Sequence, residues 1–178
     1  WPGPEAAAQK AASLGLQNVM TPYFYYYINR RQKQDDSWMK VAGDGNDDLK
    51  RTYNYQPIQS NVSTTLQPYY TGVQGTFWTE HVADSTLLEY LALPRLMAIA
   101  ETGWTPENKK NFTSFCQRMA QDTVMFKLGN YRYSPHYLTG TSTQTDKVMP
   151  KFSTADKSYY YRLVTRSTGD RANKCIEL

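Results

Sequence analysis

Two residues two positions apart, Trp78 and Glu80, have the types and spacing that could do chemistry. They close the run Gly72-Val73-Gln74-Gly75-Thr76-Phe77-Trp78-Thr79-Glu80, which predicts a buried strand ending in an indole and a carboxylate side by side. A flat aromatic face beside a charged acceptor suits a sugar. The C–H face of the ring stacks on the indole while its hydroxyls donate to the carboxylate. A plainer arrangement also fits these residues: a core tryptophan followed by a solvated strand-end glutamate.

The elements that must position this pair follow from the flanking pattern. Asp84 or Ser85 can cap a helix from Thr86 to about Thr102, with Pro94 interrupting its hydrogen bonding. Thr105-Pro106-Glu107 predicts the start of a further helix reaching about Leu128, with Phe112, Phe115, Cys116 and Met119 on one face, and Gly129-Asn130 ends it. Upstream, Pro4 and the alanine-rich stretch Glu5–Leu14 predict a helix that Gly15 stops. Asn18-Val19-Met20-Thr21-Pro22 then runs into a predicted aromatic strand over Tyr23–Ile28. Helix, strand, loop, strand, helix is the order of a parallel α/β sheet. Residues 33–50 are polar and read as an exposed loop.

Composition bounds the partners. Of 178 residues 40% are apolar, which fits a packed chain rather than a disordered one. Fifteen tyrosines and four tryptophans fit carbohydrate binding, but equally a core or an interface. The net charge of +4 is scattered rather than gathered into a stripe, which argues against nucleic acid as a partner. No run approaches the roughly 20 apolar residues of a membrane span, and no signal-peptide pattern opens the sequence. Cys116 and Cys175 carry little redox information, and His81 and His136 have no partner at ligand spacing, so no metal or cofactor is expected. The acidic residues Asp35, Asp36, Asp44, Asp47 and Asp48 do not match the spacing of a calcium loop.

Six segments in order resemble the family-20 glycoside hydrolases, the β-N-acetylhexosaminidases. They are Trp1-Pro2-Gly3; Ala11-Ala12 with Gly15 and Asn18–Pro22; Tyr27-Ile28-Asn29 with Gln32; Tyr53-Asn54-Tyr55-Gln56-Pro57; Gly72–Glu80; and Pro94-Arg95 with Ala98, Glu101 and Trp104. The resemblance implies an α/β fold, the C-terminal portion of a (β/α)8 barrel over 1–133. A linker over 134–158 and the start of a β-rich domain over 159–178 are expected to follow, with a strand at Tyr159–Arg166. Both ends read as cut, so a fragment of a larger enzyme is expected.

The implied activity is substrate-assisted retaining hydrolysis of terminal β-linked GlcNAc or GalNAc. The Asp-Glu pair that polarises the acetamido group and protonates the leaving oxygen is implied upstream of Trp1, leaving this chain inactive by itself. By position, Tyr27 is expected to donate to the acetamido oxygen and Trp78 to stack on the sugar. Glu80 and Asn29 are expected to bind the distal hydroxyls, and Trp1 to form another wall. Asn29 stands where many members carry Asp. The implied partners are N-acetylhexosamine glycans or chito-oligosaccharides, together with self-association through exposed barrel faces. The implied location is secreted or periplasmic. A non-catalytic carbohydrate-binding or adhesion module is the competing function, and a ligand-free structural domain a third.

Several residues have plainer readings. Tyr25 or Tyr26 could face the site in place of Tyr27, because side chains alternate along a strand and only the spacing to Asn29 and Gln32 selects Tyr27. Arg95 and Glu101 read as a polar pair on a packed helix, Trp104 as helix-end packing, and His81 as an exposed loop residue.

Overall fold

A computed structural model of the chain describes residues 3–33, 48–138, 162–165 and 174–177. The chain forms two compact units, Trp1–Ser142 and Thr143–Leu178.

In the first unit, helix α1 (Pro4–Ser13) starts with Pro at its first position. It ends where Gly15, at φ 76°, adopts the left-handed conformation. Gly15 N donates to Ala12 O and Leu16 N to Ala11 O, so the orphan carbonyls of the last turn are satisfied. Strand β1 (Asn18–Met20) then pairs in parallel with strand β2 (Tyr70–Val73), in the register Val19↔Gly72 and Met20↔Val73.

The expected strand over Tyr23–Ile28 is a correction. Pro22 caps a helical turn, α2 (Tyr23–Tyr26), in which Tyr26 N donates to Pro22 O at 2.8 Å. Extended pairing resumes only at Tyr27, which bridges Thr76 in parallel. Likewise the expected strand over Gly72–Trp78 begins earlier and ends earlier, so Trp78 lies beyond its regular part. Gly75 follows β2, where a Cβ would meet Ile99 Cδ1 at 2.9 Å.

Short helix α3 (Leu49–Tyr53) is capped by Asp48, whose Oδ1 accepts from Arg51 N at 2.7 Å. The other aspartates of the acidic stretch, Asp35, Asp36, Asp44 and Asp47, lie outside the described residues. The single interrupted helix expected after Asp84 is two helices, α4 (Ser85–Ala92) and α5 (Arg95–Trp104), separated by a cis Leu93–Pro94 bond. Asp84 does cap α4, accepting from Leu87 N. The helix expected from Thr105 starts later. A 3₁₀ turn (Glu107–Lys109) precedes α6 (Phe112–Leu128), whose cap is Asn111.

Helix α5 joins the two parts of the core. Ala98 packs with Tyr53, Phe115 and Met119, so the predicted apolar face of α6 is buried there. Ile99 packs with Met20, Tyr26 and Tyr55 on the strand side. Arg95 and Glu101 do not pair with each other. Arg95 donates to backbone carbonyls, whereas Glu101 accepts from Tyr53 Oη at 2.8 Å and from Arg118. Trp104 is 90% exposed rather than packed at the helix end. Among the described residues no helix is long and apolar enough to cross a membrane.

In the second unit, strand β3 (Arg162–Thr165) pairs antiparallel with β4 (Lys174–Glu177), with Leu163 opposite Ile176. The rest of the expected Tyr159–Arg166 strand, and the linker beyond Leu138, lie outside the described residues.

Candidate active site

The Tyr27↔Thr76 bridge sets the geometry. Ile28 N donates to Thr76 O at 3.0 Å and Thr76 N to Tyr26 O at 2.8 Å, which fixes the two segments in register. Residues opposite one another in a parallel pair share a face, and side chains two apart along an extended chain return to it. Trp78, two residues past Thr76, therefore comes to Tyr27, with ring centroids 6.4 Å apart and planes inclined by 30°. Tyr23 also packs on the Tyr27 ring, with centroids 4.7 Å apart.

Tyr27, and not Tyr25 or Tyr26, is the tyrosine that lies against Trp78. Tyr26 is fully buried in the core, and Tyr25 packs on Tyr55 at 4.7 Å. Trp78 is half exposed, so its indole is available to a ligand rather than spent in the core. Glu80 is exposed two residues further on, and His81 is exposed beside it. Burial pushes the Tyr27 phenol above its usual pKa, and the negative charge of Glu80 adds to the shift. The shift extends to higher pH the range over which the phenol keeps its proton and can donate.

Asn29 lies in the turn that follows, where Arg30 N donates to Tyr27 O at 3.3 Å. It is 3% exposed, and among the described residues its Oδ1 has no hydrogen-bond partner. A buried acceptor of this kind is an exception among buried polar groups. Trp1 lies outside the described residues.

A cavity of about 790 Å³ between α4 and Lys127–Pro135 is not lined by Tyr27, Trp78 or Glu80. Size is a poorer guide here than chemistry, because Trp78, half exposed beside Tyr27, stands outside that cavity. Among the described residues no three His, Cys, Asp or Glu side chains gather closely enough to hold a metal ion. Sequence reasoning missed Tyr23 and the part played by Arg95. The four-residue spacing of Tyr23 and Tyr27 was a signal for the first. A lone cation in the apolar run Leu91–Ala100 was a signal for the second.

Comparison with known proteins identifies the setting. Residues 1–107 match the description "Glycosyl hydrolase family 20, catalytic domain". The chain is 30% identical over 161 residues to a β-hexosaminidase of Porphyromonas gingivalis, covering 87% of this chain and 21% of that protein. It is 29% identical over 128 residues to a β-hexosaminidase of Akkermansia muciniphila, covering 70% of this chain and 24% of that protein. The chain therefore spans about a quarter or less of the length of these relatives.

Among solved structures, the Streptomyces plicatus N-acetyl-β-hexosaminidase in complex with thio-NAglucal superposes with TM-score 0.64 at 24% identity, over 74% of this chain and 26% of that one. A Vibrio harveyi exo-β-N-acetylglucosaminidase in complex with N-acetylglucosamine gives TM-score 0.63 at 24% identity, over 72% of this chain and 20% of that one. The α/β arrangement of the first unit is accordingly that of the C-terminal portion of the (β/α)8 catalytic barrel. The profile match covers more than half of the sequence, and the chain belongs to glycosyl hydrolase family 20.

Proposed function

We propose that Tyr27, Asn29, Trp78 and Glu80 form one side of the pocket in which a β-N-acetylhexosaminidase holds the terminal GlcNAc or GalNAc of a β-linked glycan. The observation that carries this reading is the Tyr27–Trp78 ring pair, with a protonated phenol under the influence of Glu80. The β-hexosaminidase relatives and the N-acetylglucosamine held by the Vibrio harveyi neighbour support it.

In the proposed reaction the substrate's acetamido oxygen attacks the anomeric carbon as the glycosidic bond breaks, and a glutamic acid protonates the departing oxygen. Water then opens the oxazolinium ion with net retention. Tyr27 donates its O–H to the acetamido oxygen, holding it for attack and stabilising the charge that develops. Trp78 stacks on the sugar, Glu80 and Asn29 take the distal hydroxyls, and Trp1 forms a further wall. The Asp-Glu pair belongs to another part of the protein. In this reading residues 159–178 begin a β-rich domain, the substrates are β-linked N-acetylhexosamine glycans or chito-oligosaccharides, and the enzyme is secreted or periplasmic.

Hydrolysis of an aryl β-N-acetylglucosaminide by this chain and by the natural full-length protein tests the proposal. Turnover by the full-length protein alone is expected. Turnover by neither, with N-acetyl sugars still bound, would favour a carbohydrate-binding module. Turnover by the chain alone would mean that the catalytic roles are wrongly assigned.

A further inference from the structure

Arg95 is fully buried, and it reaches the turn that carries the sugar-binding residues. Its Nη2 donates to Ile28 O, to Arg30 O at 2.9 Å and to Leu91 O at 2.6 Å, while Nε donates to Leu91 O at 3.0 Å. Ile28 and Arg30 flank Asn29, and Ile28 directly follows Tyr27. From the turn side, Gln32 returns the contact. Its buried Nε2 donates to Tyr90 O at 2.5 Å, Leu91 O at 3.3 Å and Leu93 O at 2.9 Å. Two side chains from opposite partners thus lock residues 28–32 onto the junction between α4 and α5, and Leu91 O accepts from both.

A buried guanidinium is expensive unless its donors are satisfied, and its planar fork fixes the direction of each hydrogen bond. Here that fixed geometry acts on the backbone on either side of Asn29, in a segment with one bridge at Tyr27 and another at Arg31 but no strand or helix of its own. We propose that Arg95 is a positioning residue of the sugar site, with Gln32 as its counterpart: the pair sets the carbonyls around Asn29 and so the aim of Tyr27. This rests on the reading of Tyr27 and Asn29 as sugar-binding residues. Arg95 touches no substrate and acts only through the turn.

The test uses the natural full-length protein and an aryl β-N-acetylglucosaminide. Arg95→Lys keeps the positive charge and loses the fork. Displacing a catalytic group by about 1 Å costs on the order of 10²-fold. The variant is therefore expected to lose about 10- to 100-fold in kcat per folded molecule, with KM changed by less than about threefold. In a Tyr27→Phe background the same substitution should cost less than about threefold more, because the group it aims is already gone.

Equal losses in both backgrounds, or a lowered Tm with unchanged kcat, would overturn the proposal and leave Arg95 a packing residue. If Arg95→Lys does not accumulate as folded protein, Gln32→Leu is read in the same way against the same two outcomes. A wild-type protein that neither cleaves nor binds N-acetylhexosaminides would remove the sugar-site reading itself. An active wild type with an insensitive Arg95→Lys and Gln32→Leu would remove only the positioning role.

Discussion

A phenol that works by donating a hydrogen bond is useful only while it keeps its proton, and Tyr27 sits where the proton is retained. Burial and the nearby Glu80 raise its pKa above the ordinary value of about 10. The sign is plain: a raised value favours the neutral form, so the donor persists as pH climbs and fails only above its usual titration. Tyr27→Phe removes the donor and keeps the ring against Trp78. In the full-length enzyme its kcat should fall on the order of 10²-fold, the cost of one lost transition-state donor. The alkaline inflection of the pH–rate profile should stay where it is; an inflection below pH about 10 that vanished in the variant would contradict this placement. Asn29 offers a second comparison. In the proposed pocket an aspartate there would add a second carboxylate to that of Glu80. Asn29→Asp should therefore lower turnover of a sulfated N-acetylhexosaminide relative to the plain one, by about tenfold for one like-charge contact. An unchanged ratio would sink this account.

Among the elements, α6 shows what a cap is worth at a distance from the site. Asn111 Oδ1 accepts from Ser114 N at 2.9 Å, and Asn111 N donates to Tyr53 Oη at 2.9 Å. Asn111→Ala removes the side-chain cap and should cost about 1 kcal/mol, read as a Tm lower by about 2–4 °C for a unit of this size, with kcat unchanged. A fall in kcat would tie α6 to the chemistry. The apolar face of α6 was legible in the sequence because Phe112, Phe115, Cys116 and Met119 recur at helical spacing, and that face is the one buried. The aromatic run from Tyr23 was not. Five aromatic residues in a row have strand propensity, yet Pro22 opens a helical turn that buries Tyr26 and stacks Tyr23 on Tyr27. Tertiary packing overrode propensity there. Trp78 and Glu80 were readable as a candidate site from type and spacing, whereas the Tyr27–Thr76 bridge that brings a phenol to Trp78 depends on a pairing 49 positions apart. Arg95 was misread because its partners are backbone carbonyls, which sequence does not distinguish.

The molecule as a whole leaves apolar surface that its own described residues do not cover. Parallel sheets are normally covered on both faces and paired along their length, but here the first unit has a parallel sheet of two strands among its described residues. Val19 on β1 is 52% exposed, and Leu96 and Met97 on α5 are about 40% exposed. Trp104, at the end of the same helix, has nearly its whole indole in solvent. In a complete barrel, neighbouring strands and helices would occupy such faces. Alone, the chain can bury them only against another copy of itself or by rearranging, because unpaired strand edges and apolar patches both favour association. The isolated 178-residue chain should therefore sediment as a concentration-dependent mixture and melt broadly, and Trp104→Ser should shift the mixture toward smaller species. The full-length enzyme, with those faces covered, should melt sharply and ignore the same substitution in sedimentation. A sharply melting, monodisperse monomer of the isolated chain would show instead that two strands and their helices suffice as a folding unit, and that the exposed indole has some other use.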